Sequence, residues 1–370
     1  MGVASLLPVL PQMGKIFALS DAELGVLVFS FTLPGIFLAP VGGILADRLG
    51  RKAVLLPCLL LFALGGGMSA AAHSLPQLLL WRTIQGCGAA CLGVLYNTII
   101  GDIYRAEHVR LRVMGYAATV LSLGAALYPA LGGVLGEWGW RWPLLLSLLA
   151  IPLAIVGLFT PLPVLEQRAS MLEYAHQMRG VIFHRRSLQH FGITLCAFVV
   201  LYGPMITYFP LYADTRFAAP PSVIGLIFAV ASLGTAAASC LLGRLAQKYP
   251  PRYLSCIGSL LFILSMLGMW GAGHILHPLW LSALPILLYG LGQGLTYPAV
   301  MTSLSSLAPQ GGRGVLMAVN GTILRLAQTI SPALCGLLFA WQEFNGVYAL
   351  GAGAGGAMLL LSLRAFAPRQ

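Results

Sequence analysis

Long apolar runs recur along the whole sequence, and each is long enough to cross the hydrocarbon core of a bilayer as a helix of about 20 residues. Hydrophobic residues make up 58% of the chain and charged residues only 8%, whereas soluble domains contain about 25% charged residues. The runs therefore predict an all-α polytopic membrane protein. The predicted spans cover residues 22–46, 53–72, 76–101, 111–136, 142–161, 190–213, 222–246, 253–272, 278–303, 314–340 and 345–366.

A shorter apolar segment precedes the first full span. Residues 1–14 contain Pro8 and Pro11 and would reach only about 21 Å as a helix, which is too short to cross the membrane. We expect this segment to be the outer end of a twelfth helix whose first part is missing from the sequence.

The distribution of basic residues predicts the orientation. Of 21 Lys and Arg residues, 16 lie in one set of alternate loops and in the C-terminal tail, and three lie in the other set. Because Lys and Arg concentrate in cytoplasmic loops, we predict a multi-pass protein of the inner or plasma membrane with a cytoplasmic C-terminus. The longest loop, 162–189, places apolar residues at helical spacing, and either an interfacial amphipathic helix or a solvated linker would fit it.

Three segments recur in the same order in both halves of the sequence, which indicates an internal duplication. The pairs are the charged segments after Gly43 and Gly243, Gln85-Gly86 with Gln293-Gly294, and Pro129–Leu135 with Pro332–Leu338. We predict an N-terminal six-helix bundle at 1–161 with an incomplete first helix, a cytoplasmic linker at 162–189, and a C-terminal six-helix bundle at 190–370. Many secondary transporters consist of two such repeats, with the substrate site between them.

Several classes of function are disfavoured. The net charge of +11 comes from basic residues scattered between spans rather than from one basic stripe, so a nucleic-acid partner is not expected. The seven cysteines form no CxxC pair and have no histidine at metal-ligand spacing, so we predict no metal site. The sequence has no hydrolase, redox or nucleotide-binding motif, and we expect neither an enzyme nor a bound cofactor.

Three stretches together resemble motifs of the major facilitator superfamily. "GGILADRLGRK" at 42–52 resembles the cytoplasmic signature between the second and third helices, and 78–90 resembles the fourth-helix motif. Residues 115–133 resemble the fifth-helix antiporter motif, with Tyr128 where the family usually has glycine. The resemblance implies two six-helix bundles, transport by alternating access, and a relation to the twelve-span drug:proton antiporters.

The signature loop predicts a charged latch at the cytoplasmic ends of the helices. Asp47 would lie at a helix C-terminus, where a carboxylate is unfavourable unless cations balance it, and Gly50 permits the tight reversal that follows. The family resemblance implies a further partner near Gly312 to Val315, at the start of the eleventh helix. The predicted gate or latch residues are Gly43, Asp47, Arg48, Gly50, Arg51, Lys52, Asp102 and Arg105.

Other candidate residues lie within the spans. Arg82 and Arg325 are intramembrane charges, which are costly and therefore point to function; we expect them to couple transport or to hold substrate charge. The fifth-helix residues expected to pack helices closely are Gly115, Gly124, Tyr128, Pro129, Gly132 and Gly133. The resemblance implies that the first, fourth, seventh and tenth helices line a cavity, with candidates Gln85, Tyr96, Asn97, Tyr202, Thr207, Tyr208, Tyr289, Gln293 and Tyr297.

The positions of the charged residues indicate which charge the substrate is expected to have. None of the ten acidic residues falls in the middle of a predicted span, whereas two arginines do. We therefore expect a monomeric carrier of neutral or anionic amphipathic small molecules in the lipid bilayer, driven by the proton gradient. A facilitator or importer of a small metabolite without proton coupling is the first alternative, and a membrane receptor without transport is the second.

The latch prediction can be tested with Asp47→Asn. If the carboxylate holds the cytoplasmic ends together, this change should slow transport far more than it lowers the amount of protein in the membrane. Transport and membrane abundance would be measured on the same cells. Equal losses of both would reduce the cluster to a topology signal.

Overall fold

The computed structural model describes residues 2–104, 107–160, 179–272, 279–307 and 313–365. Within these ranges the chain is mostly helical and contains no strand, which confirms the predicted all-α class. The helices described there are α1 (Leu10–Ile16), α2 (Gly25–Leu49), α3 (Arg51–Ala70), α4 (Leu75–Ile103), α5 (Glu107–Gly136), α6 (Trp142–Leu145), α7 (Ala150–Phe159), α8 (Arg179–Ile182), α9 (Arg185–Val200), α10 (Phe209–Phe217), α11 (Pro221–Lys248), α12 (Pro251–Ala272), α13 (Ala283–Leu307) and α14 (Arg313–Ala365). Short 3₁₀ segments occupy Leu7–Val9, Leu146–Leu149 and Leu279–Ser282, and a π-helix at Leu201–Tyr208 joins α9 to α10.

Every predicted span falls on a helix. In the described ranges, nine helices are long and apolar enough to cross a membrane. The last of them has 50 residues, and Glu343 interrupts it with φ 50° and ψ −140°. Since about 20 residues suffice for one crossing, this helix accounts for two predicted spans. The first full span lies on α2, Gly25–Leu49.

The helix that contains the predicted span 190–213 extends beyond both predicted ends. The span predicted at 190–213 begins at Arg185 and runs to Phe217. His184 caps its start, because its Nδ1 accepts a hydrogen bond from the Arg186 amide. The last residues of the predicted 162–189 linker are therefore helical. Residues 161–178, where most of the interfacial helix was expected, lie outside the described residues.

The apolar N-terminal segment is packed inside the bundle. Leu6, Leu10 and Met13 are fully buried. The Leu7–Val9 turn contacts α5 and α11, and α1 contacts α10. The apolar residues of the N-terminal segment therefore pack against other helices, although the segment is too short to cross a membrane.

Two crossing helix pairs join the halves of the molecule. In the N half, which we define as the described residues up to 160, α2 and α3 pack on α4; in the C half, from residue 179 on, α11 and α12 pack on α13. Between halves, α5 packs on α11 and α2 packs on α14. We call the bundle end with the Arg- and Lys-rich loops the basic face, and the other end the opposite face.

The duplicated Gln-Gly pair has the same packing role in both halves. Gly86 on α4 lies against the Phe31 carbonyl of α2, and Gly294 on α13 lies against the Thr235 carbonyl of α11. A Cβ atom at either glycine would clash with that carbonyl. Small residues let helix backbones approach closely in membranes, so this contact sets the spacing of the central helices.

Alanine at these two glycines should destabilise the fold. We expect Gly86→Ala and Gly294→Ala each to cost about 1–3 kcal/mol, because a backbone carbonyl, unlike a flexible side chain, cannot move aside cheaply. Gly353→Ala is the matched control, since no atom lies within 4 Å of the added Cβ. Unfolding of the purified proteins in one detergent measures the effect, and a control as unstable as the two variants would refute the packing argument.

Candidate functional site

A buried ion pair anchors the signature loop at the basic face. Gly50 adopts φ 93° and ψ 150°, a backbone conformation that favours glycine, and so allows α2 to reverse directly into α3. The next residue, Arg51, donates from Nε to Oδ2 of Asp102 at the end of α4, at 2.9 Å. The two side chains are only 5% and 3% exposed. Breaking such a buried pair leaves an uncompensated charge and is strongly destabilising.

The neighbouring Lys52 binds a third helix of the same half. Its Nζ donates to the carbonyls of Leu158 and Thr160, where the C-terminal end of α7 offers unpaired carbonyls and the negative end of the helix dipole. The signature loop thus ties α3, α4 and α7 together.

The structure pairs two of the predicted latch residues, Arg51 and Asp102. Arg105 lies outside the described residues. Arg48 is exposed and Gly43 is buried in α2. Gly312 and the side chains of Asp47 and of residues 313–315 are not described. The latch between the halves therefore stays a prediction.

Arg82 is a fully buried cation on α4. Its Nη1 donates to Oε1 of Gln85 at 2.7 Å and to the Gly2 carbonyl at 3.1 Å. The guanidinium carbon lies 4.7 Å from the centre of the Phe31 ring, in a cation–π contact. Its Nε and Nη2 are buried without a hydrogen-bond partner among the described residues. The guanidinium therefore keeps two donors available to an acceptor.

A small cavity borders this arginine's partner. Its volume is about 30 Å³, close to the share of one water molecule, and Gln85, Tyr128 and Ser147 are among its lining residues. Tyr128, which departs from the family motif, thus lines a small cavity of the N half.

Arg325 crosses from the C half to the N half. A Cβ at Gly35 of α2 would lie 3.0 Å from its Cδ, and a Cβ at Gly93 of α4 would lie 2.8 Å from its Nη2. Tyr202 and Cys91 lie within its electrostatic reach. The side chain is therefore a half-buried cation at the junction of the two halves, and the two glycines make room for it.

Aromatic residues of α9, the π-helix and α13 gather near this cation. The Phe198 ring lies 6.5 Å from Tyr202 and 5.5 Å from Tyr297, measured between ring centres. Tyr297 interacts electrostatically with Tyr96 of the N half, whose side chain is 39% exposed. Three of the cavity candidates, Tyr96, Tyr202 and Tyr297, therefore lie with Arg325 between the halves.

The remaining candidates on α13 and α4 are placed differently. Tyr289 is buried against Phe262 of α12, with ring centres 5.1 Å apart, and its hydroxyl has no partner among the described residues. Gln293 is half-buried, and its Oε1 is also without one. Gln85 accepts a hydrogen bond from Arg82, and the side chain of Asn97 is not described.

Thr207 and Tyr208 are fully buried within the π-helix, where Thr207 Oγ1 donates to the Tyr202 carbonyl. A π-helix rotates the residues after it relative to a regular α-helix. Pro204, inside this segment, was the sequence signal for an irregularity.

Tyr208 instead belongs to a closure at the opposite face. Its hydroxyl donates to the carbonyls of Asp21 and Ala22 in the N half, at 3.4 and 3.3 Å. Lys15 forms an ion pair of 2.6 Å with Asp214 of the C half. The one sign of this pair in the sequence is that Lys15 is among the few basic residues in the loops of that face.

The fifth-helix motif makes backbone contacts in the same closure. A Cβ at Gly133 would clash with the Pro221 carbonyl of α11, and a Cβ at Gly225 would clash with the Pro129 carbonyl. Gly132 lies against the Ser5 carbonyl. Gly124 is buried, and the surroundings of Gly115 lie outside the description.

The duplicated segment repeats this arrangement in α14. A Cβ at Gly336 would clash with the Ala22 carbonyl, and a Cβ at Gly25 of α2 would approach the Pro332 carbonyl to 2.7 Å. The two Pro-to-Gly segments thus form equivalent contacts between the halves.

One buried histidine was missed because it lies at the edge of its predicted span. His190 on α9 places Nδ1 2.7 Å from the Arg186 carbonyl and Nε2 2.9 Å from Ser303 Oγ on α13. It therefore joins α9, which leads into the π-helix of Tyr202, to α13, which carries Tyr297.

The described carboxylates lie at the two ends of the bundle. Asp102 is at the basic face, and the others are Asp21, Glu23, Glu137, Asp214 and Glu343 near the opposite face. Neither Arg82 nor Arg325 has a carboxylate partner among them.

Two acids in the loop before α2 should respond oppositely to pH. Partial burial and the neighbouring Asp214 raise the pKa of Asp21 above its usual value, against the effect of Lys15. The Ser20 hydroxyl and amide donate to the Glu23 carboxylate and hold its pKa below its usual value.

Asp21→Asn should therefore raise the unfolding temperature at neutral pH, and the gain should fade as the pH falls through the raised pKa, since the wild-type carboxyl is then protonated as well. Glu23→Gln should lower the unfolding temperature at neutral pH, and that loss should fade as the pH falls through the lowered pKa. Thermal unfolding between about pH 8 and pH 4 tests both. Shifts of the same sign, or shifts independent of pH, would contradict these assignments.

Known proteins share this fold and sequence pattern. The profile of the Major Facilitator Superfamily matches residues 1–217 and 191–370. Multidrug resistance protein 2 of Bacillus subtilis (strain 168) is 26% identical over 351 residues, which cover 92% of this chain and 85% of that protein. The bacillibactin exporter of the same organism is 25% identical over 312 residues, which cover 81% of this chain and 77% of the exporter.

A solved structure supports the same conclusion for the fold. The crystal structure of a D-xylose-proton symporter superposes with a TM-score of 0.78 at 19% identity, over 99% of this chain and 94% of the symporter. With both halves matched by the family profile, the chain belongs to the Major Facilitator Superfamily, a family of membrane transporters rather than enzymes.

Proposed function

We propose that this transporter exports amphipathic drugs or metabolites, neutral or anionic, in exchange for protons. Its relatives include a multidrug resistance protein and an exporter, which supports efflux over uptake. The proposed mechanism is alternating access, in which the two halves open the cavity to one face of the membrane at a time.

The observation that carries the substrate proposal is the position of Arg325. This cation lies between the halves, beside Gly35, Gly93 and Tyr202, and has no described carboxylate partner. A desolvated cation is stabilised by a ligand that supplies negative charge or a strong acceptor. A cationic substrate would instead be repelled.

The aromatic residues support an amphipathic substrate. Tyr202 interacts electrostatically with Arg325, and the Phe198 ring contacts the rings of Tyr202 and Tyr297. Ligand sites of this kind combine apolar walls with a few orienting polar groups. A molecule with an aromatic body and one acidic or carbonyl group matches both parts.

The contacts at the opposite face support alternation. The Lys15–Asp214 pair is largely exposed on the lysine side, and exposed pairs contribute only about 0–1 kcal/mol. The remaining closure consists of small residues against backbone carbonyls. Such a closure can separate without leaving a buried charge unpaired.

Purified protein in liposomes tests export by proton exchange. The probe is an amphipathic aromatic carboxylate, and potassium with valinomycin clamps the membrane potential. A proton exchanger should accumulate the probe in liposomes with an acidic lumen, whereas a weak acid that permeates passively collects in an alkaline lumen. Protein-free liposomes are the control.

The same assay separates the alternatives. Exchange of labelled for unlabelled probe without accumulation by the pH gradient would support a facilitator and refute proton coupling. If neither exchange nor accumulation occurs with carboxylate or neutral amphipaths, while binding persists, the transport proposal fails.

Arg325→Gln should weaken transport of the carboxylate probe selectively. Losing a charge-assisted hydrogen bond of about 1.5–3 kcal/mol corresponds to a rise in KM of roughly tenfold or more. The neutral amide of the same probe should be affected much less, and Arg325→Lys should keep part of the preference. Equal losses for both probes would assign Arg325 a structural role only.

A further inference from the structure

A small cavity opens at the opposite face of the C half, where membrane spans end. Its volume is about 70 Å³, and its walls come from α10, α12 and α14. Arg216 lies one residue before the end of the span Arg185–Phe217, and Trp270 lies one residue before the end of Pro251–Gly271. Glu343 is the residue that interrupts α14 between its two crossings. The cavity is therefore level with the lipid headgroups.

Aromatic rings form one side of this cavity. Tyr212 meets Phe344 and Tyr348 edge to face, with ring centres 5.3 and 6.1 Å apart, and Phe344 stacks on Tyr348 at 6.3 Å. Trp270 completes the lining. Ring faces attract organic cations, so this wall favours an ammonium group.

Polar groups around the cavity supply hydrogen-bond acceptors. Tyr348 is 1% exposed, and its hydroxyl is buried without a partner among the described residues, although such groups are normally satisfied. The Glu343 carboxylate and the Asn345 amide also line the cavity. Glu343 has φ 50°, which residues other than glycine rarely adopt, and strained backbone of this kind clusters at ligand sites.

The opposite charge is also present in the lining. Arg216, near the end of α10, contributes a guanidinium, whose planar set of donors suits phosphate oxygens. A ligand that complements the cavity therefore has both an ammonium group and a phosphate.

The volume limits which ammonium group can enter. About 70 Å³ corresponds to the share of two water molecules. A primary ammonium on a two-carbon arm is of this size and has three N–H donors for the acceptors around it. A trimethylammonium group is bulkier and has no donor for the Tyr348 hydroxyl.

We propose that this cavity binds a phosphoethanolamine group, with its ammonium between Glu343, Tyr348 and the aromatic rings and its phosphate on Arg216. The position at the headgroup level makes a membrane phospholipid the expected source. Such a lipid would brace the interruption of α14 against the ends of α10 and α12. The site is independent of the substrate and of proton coupling.

Thermal unfolding and native mass spectrometry of the full chain test the proposal. Phosphatidylethanolamine added to the protein in detergent should raise the unfolding temperature more than phosphatidylcholine with the same acyl chains, and should be retained about tenfold more in mass spectra. Glu343→Gln should reduce this preference to near equality, since a charge-assisted hydrogen bond is worth about a factor of ten or more. Glu23→Gln, at the same face but in the N half, is the matched control and should keep the preference.

Tyr348→Phe gives an independent measurement. Without phosphatidylethanolamine this variant should be at least as stable as the wild type, because it removes a buried unpaired hydroxyl, and it should gain less stability when the lipid is added. Free phosphoethanolamine distinguishes the sources: stabilisation by the lipid alone assigns a membrane lipid, and equal stabilisation by both assigns a soluble ligand of the same chemistry. Equal effects of the two phospholipids on the wild type, or an unchanged preference in both Glu343→Gln and Tyr348→Phe, would overturn the proposal.

Discussion

Close contact between helix backbones is the constraint on which this bundle depends. In a bilayer, association of helices comes from packing rather than from release of water, so the closest approaches decide which helices pair. Gly86 and Gly294 fix the central helix of each half against its neighbour, and Gly133 and Gly336 fix the contacts between halves. Each of these glycines meets a backbone carbonyl, which leaves no room for a Cβ. The sequence segments that recur in both halves thus make equivalent contacts, which a shared packing requirement explains.

The sequence predicted the spans well because membrane thickness and apolar length are linked directly. It predicted the candidate site less completely, for physical reasons that differ between residues. Thr207 and Tyr208 were cavity candidates by the family resemblance, whereas in the structure both are fully buried in the π-helix at Leu201–Tyr208. Arg51 and Asp102 were both predicted latch residues, but no periodicity encodes their pairing across 51 positions. Short-range patterns fix helices, while long-range partners depend on how the helices cross.

Three arginines illustrate how differently this fold treats buried positive charge. Arg51 is neutralised by Asp102 and therefore stabilises the signature loop. Arg82 has hydrogen bonds to an amide and a carbonyl and a contact with an aromatic ring, but no described carboxylate. Arg325 contacts the other half of the molecule through two glycines. Among the described residues, only the first of these cations is paired with a carboxylate. The other two leave a positive charge inside the bundle without a described carboxylate partner, and a substrate or a titrating group can balance that charge. The presence or absence of such a partner separates the three arginines better than their burial does.

The contacts between halves differ in what their separation costs, and this difference bears on how the molecule would open. The Lys15–Asp214 pair gains water on separation and loses little, since one partner is already exposed. The glycine-to-carbonyl contacts expose only small surfaces when they part. Arg325 is the costly element, because its guanidinium lies at the junction of the halves, and its environment changes whenever they move. A ligand that offsets this charge in one arrangement and not in the other shifts the balance between them by its differential affinity. On this argument, substrate recognition and conformational change depend on the same side chain.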